Sequence, residues 1–249
     1  MSIRLGANPI IWSNDDMREL GAETPLETCL AEARQIGFEG MELGHKFPRD
    51  PVALVATLER FGLACVSGWY SAQLLARDAR AELACLRPHL DLLKAVGSPV
   101  LVFADVSGAI HGNFQRPLSE RPRLKASEWR EFGRRLTKVA AVTAAEGVRL
   151  AYHHHMGTVA QCQEDIDSLM DATGAEVGLL LDTGHATFAG VFTVPGDGSI
   201  DFARVFHELR DYSGWVILEA EQDPRIADPM TYASLGYNNL RRLLSENTR

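Results

Sequence analysis

Cysteine is scarce in this chain. Among its 249 residues only Cys29, Cys65, Cys85 and Cys162 occur, scattered without C-x-x-C spacing. They read as small core hydrophobes in a reducing cytoplasm, and a four-cysteine zinc site does not fit them. Long hydrophobic runs are also missing. No window approaches the roughly 18 apolar residues that a membrane-spanning helix needs. The first residues, Met1-Ser2-Ile3-Arg4-Leu5, lack a signal-peptide pattern. Positive charge is short as well: 25 basic residues face 33 acidic ones, a net charge of −8. That balance leaves no basic face for nucleic acid. Neither G-x-G-x-x-G nor G-x-x-x-x-G-K-[ST] follows the first apolar stretch, which disfavours dinucleotide and P-loop chemistry. The expectation is a cytoplasmic protein with a small-molecule partner, no nucleic acid and no membrane. Room is left for a homo-oligomer.

Apolar residues make up 46% of the chain, enough for a large core. Their pattern alternates between strands and helices. Strands are expected at 4–12 (broken by Asn8-Pro9), 38–44, 63–69, 99–105, 148–152, 177–182 and 214–220. Helices are expected between them at about 26–37, 51–61, 76–96, 127–146, 158–173 and 199–209, with a last one at 231–245. Gly37, Gly62, Gly97 and Gly147 read as helix stops. Thr24-Pro25-Leu26-Glu27 reads as a capped helix start, and Ser127 as another cap. Residues 106–125 form a long polar loop of the kind that is often a functional lid. Such β-α-β-α order gives a parallel sheet with right-handed crossovers. The length suits a single α/β barrel domain over 1–249, a TIM-type (β/α)8 barrel.

Polar clusters fall at the C-terminal ends of the expected strands, where parallel α/β folds keep their chemistry. The sharpest is Leu179-Leu180-Leu181-Asp182-Thr183-Gly184-His185, an apolar run that ends in a carboxylate, a glycine and an imidazole. Burying Asp182 costs several kcal/mol unless a cation or a substrate hydroxyl pairs with it. The plainer reading is an Asp that caps the next helix. His153-His154-His155 ends another strand, and side chains two apart share a face, so His153 and His155 point together. Glu219 and Glu221 do the same at the last strand. If strand tips converge, His153, Asp182 and Glu219 can surround one point. A histidine with two carboxylates suits Mn²⁺ or Co²⁺, with Mg²⁺ and Zn²⁺ admissible. His155, His185, Lys46 and Glu221 are the candidate proton-transfer residues, with acid and base not separable. Glu42, His45 and Trp69 sit at other tips as candidate substrate contacts. A solvated loop competes for His45 and Lys46, and rim packing for Trp69.

One region breaks the rhythm. Between Asp182 and Gly214 only one helix is expected, behind the turn Pro195-Gly196-Asp197-Gly198. A full barrel needs another helix and strand there.

Several segments together resemble the inosose dehydratases of the xylose-isomerase-like TIM barrels. They are Asn8-Pro9-Ile10 with Trp12 and Asn14-Asp15-Asp16, Glu42 to Pro48, Tyr152 to Thr158, Leu181 to Ala186, and Glu219 to Pro224. The resemblance runs over nearly the whole chain. It implies a metal at the C-terminal face, held by four side chains from strands five to eight. Asp182 matches the strand-six ligand, Glu219 the strand-eight ligand, and His153 the strand-five position. It also implies dehydration of 2-keto-myo-inositol to a trihydroxycyclohexane-dione in inositol catabolism, through α-proton removal and loss of the β-hydroxyl as water. A sugar or ketose isomerase or epimerase shares the enolisation step, and a non-catalytic polyol binder is the third reading. Against the family pattern, helix six and strand seven are absent where Gly190 meets Val191. The gap is very roughly 40 residues, one helix plus strand and loops, and one metal ligand goes with it.

Overall fold

A computed structural model describes residues 3–113, 115–187 and 193–246. In chain order it has β1 (Ile3–Ala7), α1 (Leu26–Ile36), β2 (Gly40–Leu43), α2 (Pro51–Phe61), β3 (Ala64–Ala72), α3 (Ala79–Ala95) and β4 (Val100–Asp105). Then come α4 (Ala126–Ala145), β5 (Arg149–His153), α5 (Gln163–Ala172), β6 (Val177–Leu180), α6 (Thr183–Thr187), α7 (Phe202–Glu208), β7 (Gly214–Leu218) and α8 (Pro229–Glu246). Among the described residues no strand lies between β6 and β7, as the sequence pattern predicts. The junction of Gly190 with Val191 itself falls outside the described residues. The chain divides into two compact units, Met1–Val66 with Ala189–Arg249, and Ser67–Phe188.

In the first unit β1 runs parallel between β2 and β7, with Gly6 opposite Gly40 and Leu5 opposite Val216. Gly40 is needed for its missing side chain: a Cβ there would stand 2.6 Å from Val66 and 2.9 Å from the Trp215 ring. Phe38 meets Tyr237 of α8 edge to face at 5.0 Å. In the second unit the parallel order is β6-β5-β4-β3. Its core is built from Leu86, Leu90 and Leu93 of α3 and Phe132, Leu136 and Val139 of α4, all essentially fully buried. At the crossing of α4 and α5 a Cβ on Gly133 would stand 2.1 Å from the Ala172 carbonyl oxygen.

Three expectations need correction. The N-cap of α1 is Pro25, with no side-chain cap bond, because Thr28 and Cys29 already donate to the Pro25 carbonyl. For α4 the N-cap is Lys125, not Ser127; Glu128 reaches back to the Lys125 N–H at 2.6 Å and closes the helix end. Leu181 is not buried in a strand. It lies beyond the end of β6 and is 51% exposed. The cause is the sheet order: among the described residues β6 pairs with β5 alone and is the terminal strand.

Gly133→Ala is expected to destabilise the protein by about 2 kcal/mol, because α4 must move off α5 to admit the methyl group. Urea unfolding of the variant checks this, and an unchanged midpoint would show that the helices are not in close contact.

Candidate active site

The second unit gathers four imidazoles and one carboxylate around the tips of β5 and β6. His153 is the last residue of β5 and is nearly buried. Asp182 follows β6, and His185 lies one turn further on in α6. His153, Asp182 and His185 each offer a ligand atom, and these atoms lie within 4.8 Å of one another. Among the described residues this is the one such group.

The two oxygens of Asp182 have different work. Oδ1 accepts the His185 backbone N–H at 2.8 Å, which is the capping role the plainer sequence reading assigned. Oδ2 faces His153 Nε2 at 3.4 Å and His185 Nε2 at 3.8 Å. His154 points away from the pair and is fully buried. Its Nε2 accepts the Asp182 backbone N–H at 3.3 Å, so it pins the carboxylate's own main chain. His155 Nδ1 donates to the Met156 carbonyl at 2.8 Å, leaving its Nε2 lone pair open. The His155 and His185 rings are only 4.1 Å apart. Trp69 meets His153 and His155 edge on at 5.3 and 5.7 Å.

Burial dominates the electrostatics. Desolvation, with His185 and His153 close by, pushes the His155 pKa down to about 3. Desolvation also brings His185 down to about 4, against the pull of Asp182. For Asp182 burial acts in the opposite sense, but the nearby imidazoles of His153 and His185 hold it well below the usual carboxylate range. The centre therefore stays anionic at Asp182 and neutral at His155 and His185. Among the described residues His153 Nε2 and His185 Nδ1 are buried without a hydrogen-bond partner. Unpaired imidazole nitrogens beside an ionised carboxylate are the donor set of a divalent cation, so these residues fit one.

The other candidates lie in the first unit. Glu219, at the tip of β7, accepts from Asn8 Nδ2 at 2.7 Å, and Glu42 accepts from the same amide at 3.1 Å. Glu221 lies two residues beyond Glu219. His45 Nδ1 pairs with Asp15 Oδ1 at 2.5 Å. Lys46 Nζ donates to the carbonyls of Gly21, Ala22 and Thr24 at 2.6 to 2.9 Å. All three ammonium protons are thereby engaged in closing that turn. His154 was missed by sequence reasoning because its side chain falls on the other face of the strand; the unbroken histidine triplet was its only signal.

Parallel βα units with a carboxylate and imidazoles at strand C-termini define an α/β barrel-type enzyme with a cation-competent centre. Residues 30–191 match the family model described as xylose isomerase-like TIM barrel. The chain is 42% identical to the rhizopine catabolism protein MocC of Rhizobium meliloti, over 98% of this chain and 89% of that protein. It is 37% identical to the inosose dehydratase of Geobacillus thermodenitrificans, over 93% and 94% respectively. Among solved structures it is similar to an L-ribulose 3-epimerase (TM-score 0.72, 17% identity, 100% and 96% covered). A xylose isomerase-like TIM barrel protein from Mycobacterium smegmatis in complex with magnesium is also similar (TM-score 0.71, 12% identity, 99% and 98% covered). The chain belongs to the xylose isomerase-like TIM barrel family, and it is an enzyme of the dehydratase type. The MocC alignment spans 289 positions, although 98% of 249 residues is only about 244. About 45 positions thus have no residue of this chain, in keeping with a barrel that lacks one helix-strand unit. Among the described residues no helix is long and apolar enough to cross a membrane.

The depressed imidazole pKa values set a pH dependence. In the unfolded chain both imidazoles titrate near 6.5, in the folded protein at about 3 and 4. The unfolded state therefore binds more protons across this window, and stability falls as pH drops. Urea unfolding of metal-free protein between about pH 7.5 and about pH 4.5 should show a loss on the order of a few kcal/mol. His155→Gln should flatten the slope; an equal slope in the variant would show that His155 is not kept neutral by folding.

Proposed function

We propose that the chain is a metal-dependent hydro-lyase that dehydrates 2-keto-myo-inositol to a trihydroxycyclohexane-dione in inositol catabolism. The observation that carries this is the close grouping of His153, Asp182 and His185 with the open Nε2 of His155 beside them. The inosose dehydratase relatives supply the substrate class. His153, Asp182 and His185 would hold a divalent ion, Mn²⁺ or Co²⁺ by donor type. Glu219 is proposed as a further ligand on the sequence resemblance alone. When bound, the ion supplies Lewis-acid polarisation of the ketone.

The chain's own residues handle the proton. His155 Nε2 carries the lone pair that accepts the α-proton, since its Nδ1 is held as a donor by the Met156 carbonyl. Negative charge developing on the substrate offsets the desolvation that otherwise keeps this ring neutral. The same proton, returned to the β-hydroxyl, lets it leave as water, so atoms and charge balance. Trp69 walls the imidazoles with apolar surface and keeps bulk water off the proton in transit.

The test is turnover of the ketone by Mn²⁺- or Co²⁺-loaded protein, followed by dione absorbance. Asp182→Asn should lose bound metal and lower kcat/KM by about 100-fold or more. Metal analysis of Glu219→Gln decides whether that carboxylate is also a ligand. Exchange of the α-proton in deuterated water without water loss would replace this reading with an epimerase. Polyol binding with neither exchange nor turnover would replace it with a binding protein.

A further inference from the structure

We propose that His111 is a substrate-contacting residue that reads one hydroxyl of the polyol; this rests on the function proposed above. His111 lies in the loop between β4 and α4, in the same unit as the imidazole cluster. Its ring stands 5.1 Å from that of His155, at an interplanar angle of 66°. It belongs to neither the cation donors nor the sequence motifs that carry the family resemblance.

The backbone holds it there. Ile110 is buried, and its N–H donates to the Gly157 carbonyl at 2.9 Å. The two segments come so close that a Cβ on Gly157 would stand 2.8 Å from the His111 nitrogen. Gly157 also has φ +73°, a conformation that glycine adopts without strain. The loop of His111 and the loop after His155 are therefore fastened together, and the two rings with them.

His111 Nδ1 is buried and, among the described residues, has no hydrogen-bond partner. Leaving a buried polar nitrogen unpaired is costly, and nothing among the described residues repays it. A hydroxyl both donates and accepts, so it pairs with this nitrogen in either tautomer. A polyol ring carries several hydroxyls around its reacting carbons. One that faces His111 would fix the ring's rotation about the carbon presented to His155. A residue in this place selects among ring stereochemistries, which the metal donors alone cannot do.

The experiment compares wild type, His111→Ala and His111→Asn, each Mn²⁺-loaded, on 2-keto-myo-inositol and its monodeoxy analogues. His111→Ala should lower kcat/KM by about 10- to 100-fold, mainly through KM, with metal content unchanged. His111→Asn should recover part of the loss. On the one analogue lacking the contacted hydroxyl, wild type and His111→Ala should become nearly equal. Unchanged kcat/KM in His111→Ala, loss of metal, or an equal penalty on every analogue would overturn the assignment. If wild type itself does not turn the ketone over, the proposed function fails. His111 is then judged by calorimetry with the same ketone: weaker binding by His111→Ala upholds the contact, and equal binding removes it.

Discussion

The second unit's site depends on one half-buried charge. Asp182 is ionised beside the neutral rings of His155 and His185, and its two oxygens are not equally satisfied. The oxygen bonded to the His185 N–H has a full partner. The other faces two imidazole nitrogens at distances too long for good hydrogen bonds. Protonating an imidazole would neutralise the site, but burial and the crowding of His153, His155 and His185 oppose it. A carboxylate left in that condition is expensive. A divalent cation held by these residues would pair the charge and use the open imidazole lone pairs.

Around that charge, other residues act by fixing positions. His154 holds the Asp182 main chain from behind. Arg121 is nearly buried, and it donates to the carbonyls of Thr158 and Val159 and to Asp165. Thr158 in turn donates through its hydroxyl to the His155 carbonyl. This chain of bonds ties the long loop before α4 to the loop that carries His155. Imidazole rings at 4 to 6 Å keep useful geometry only if their backbones cannot drift, and these contacts supply that constraint.

Much of this was legible in the sequence, for identifiable reasons. Helix ends at Gly37 and Gly62 were readable because both adopt the left-handed conformation that glycine favours. His153 and Asp182 stood out as ligand candidates because a polar group ending an apolar run has few inexpensive alternatives; His185, expected as a proton-transfer residue, lies in one group with them. The caps at Thr24 and Ser127 were misread because a capping pattern states which residue could cap, while neighbouring carbonyls and Glu128 decide which one does. Lys46 looked like a free ammonium, yet three carbonyls from a turn over twenty residues earlier claim it. His111 carried no local signal at all. It lies in an irregular loop, and its place beside His155 depends on a backbone bond from Ile110 to Gly157 across more than forty residues.

The shortening of the barrel has a specific physical consequence. A strand with neighbours on both sides is buried on both edges; β6 and β7 are each the last strand of their sheet order. Their burial shows it: three of the four residues of β6 and four of the five of β7 are only half-buried. Leu181, just beyond β6 and next to the Asp182 carboxylate, is exposed as well. The grouped residues His153, Asp182 and His185 nevertheless come from β5, from just after β6 and from α6. His185 follows Asp182 by three residues on a helix that Asp182 itself caps, so its place is set locally and needs no distant strand. The grouping of His153, Asp182 and His185 is therefore in place although, among the described residues, no strand lies between β6 and β7.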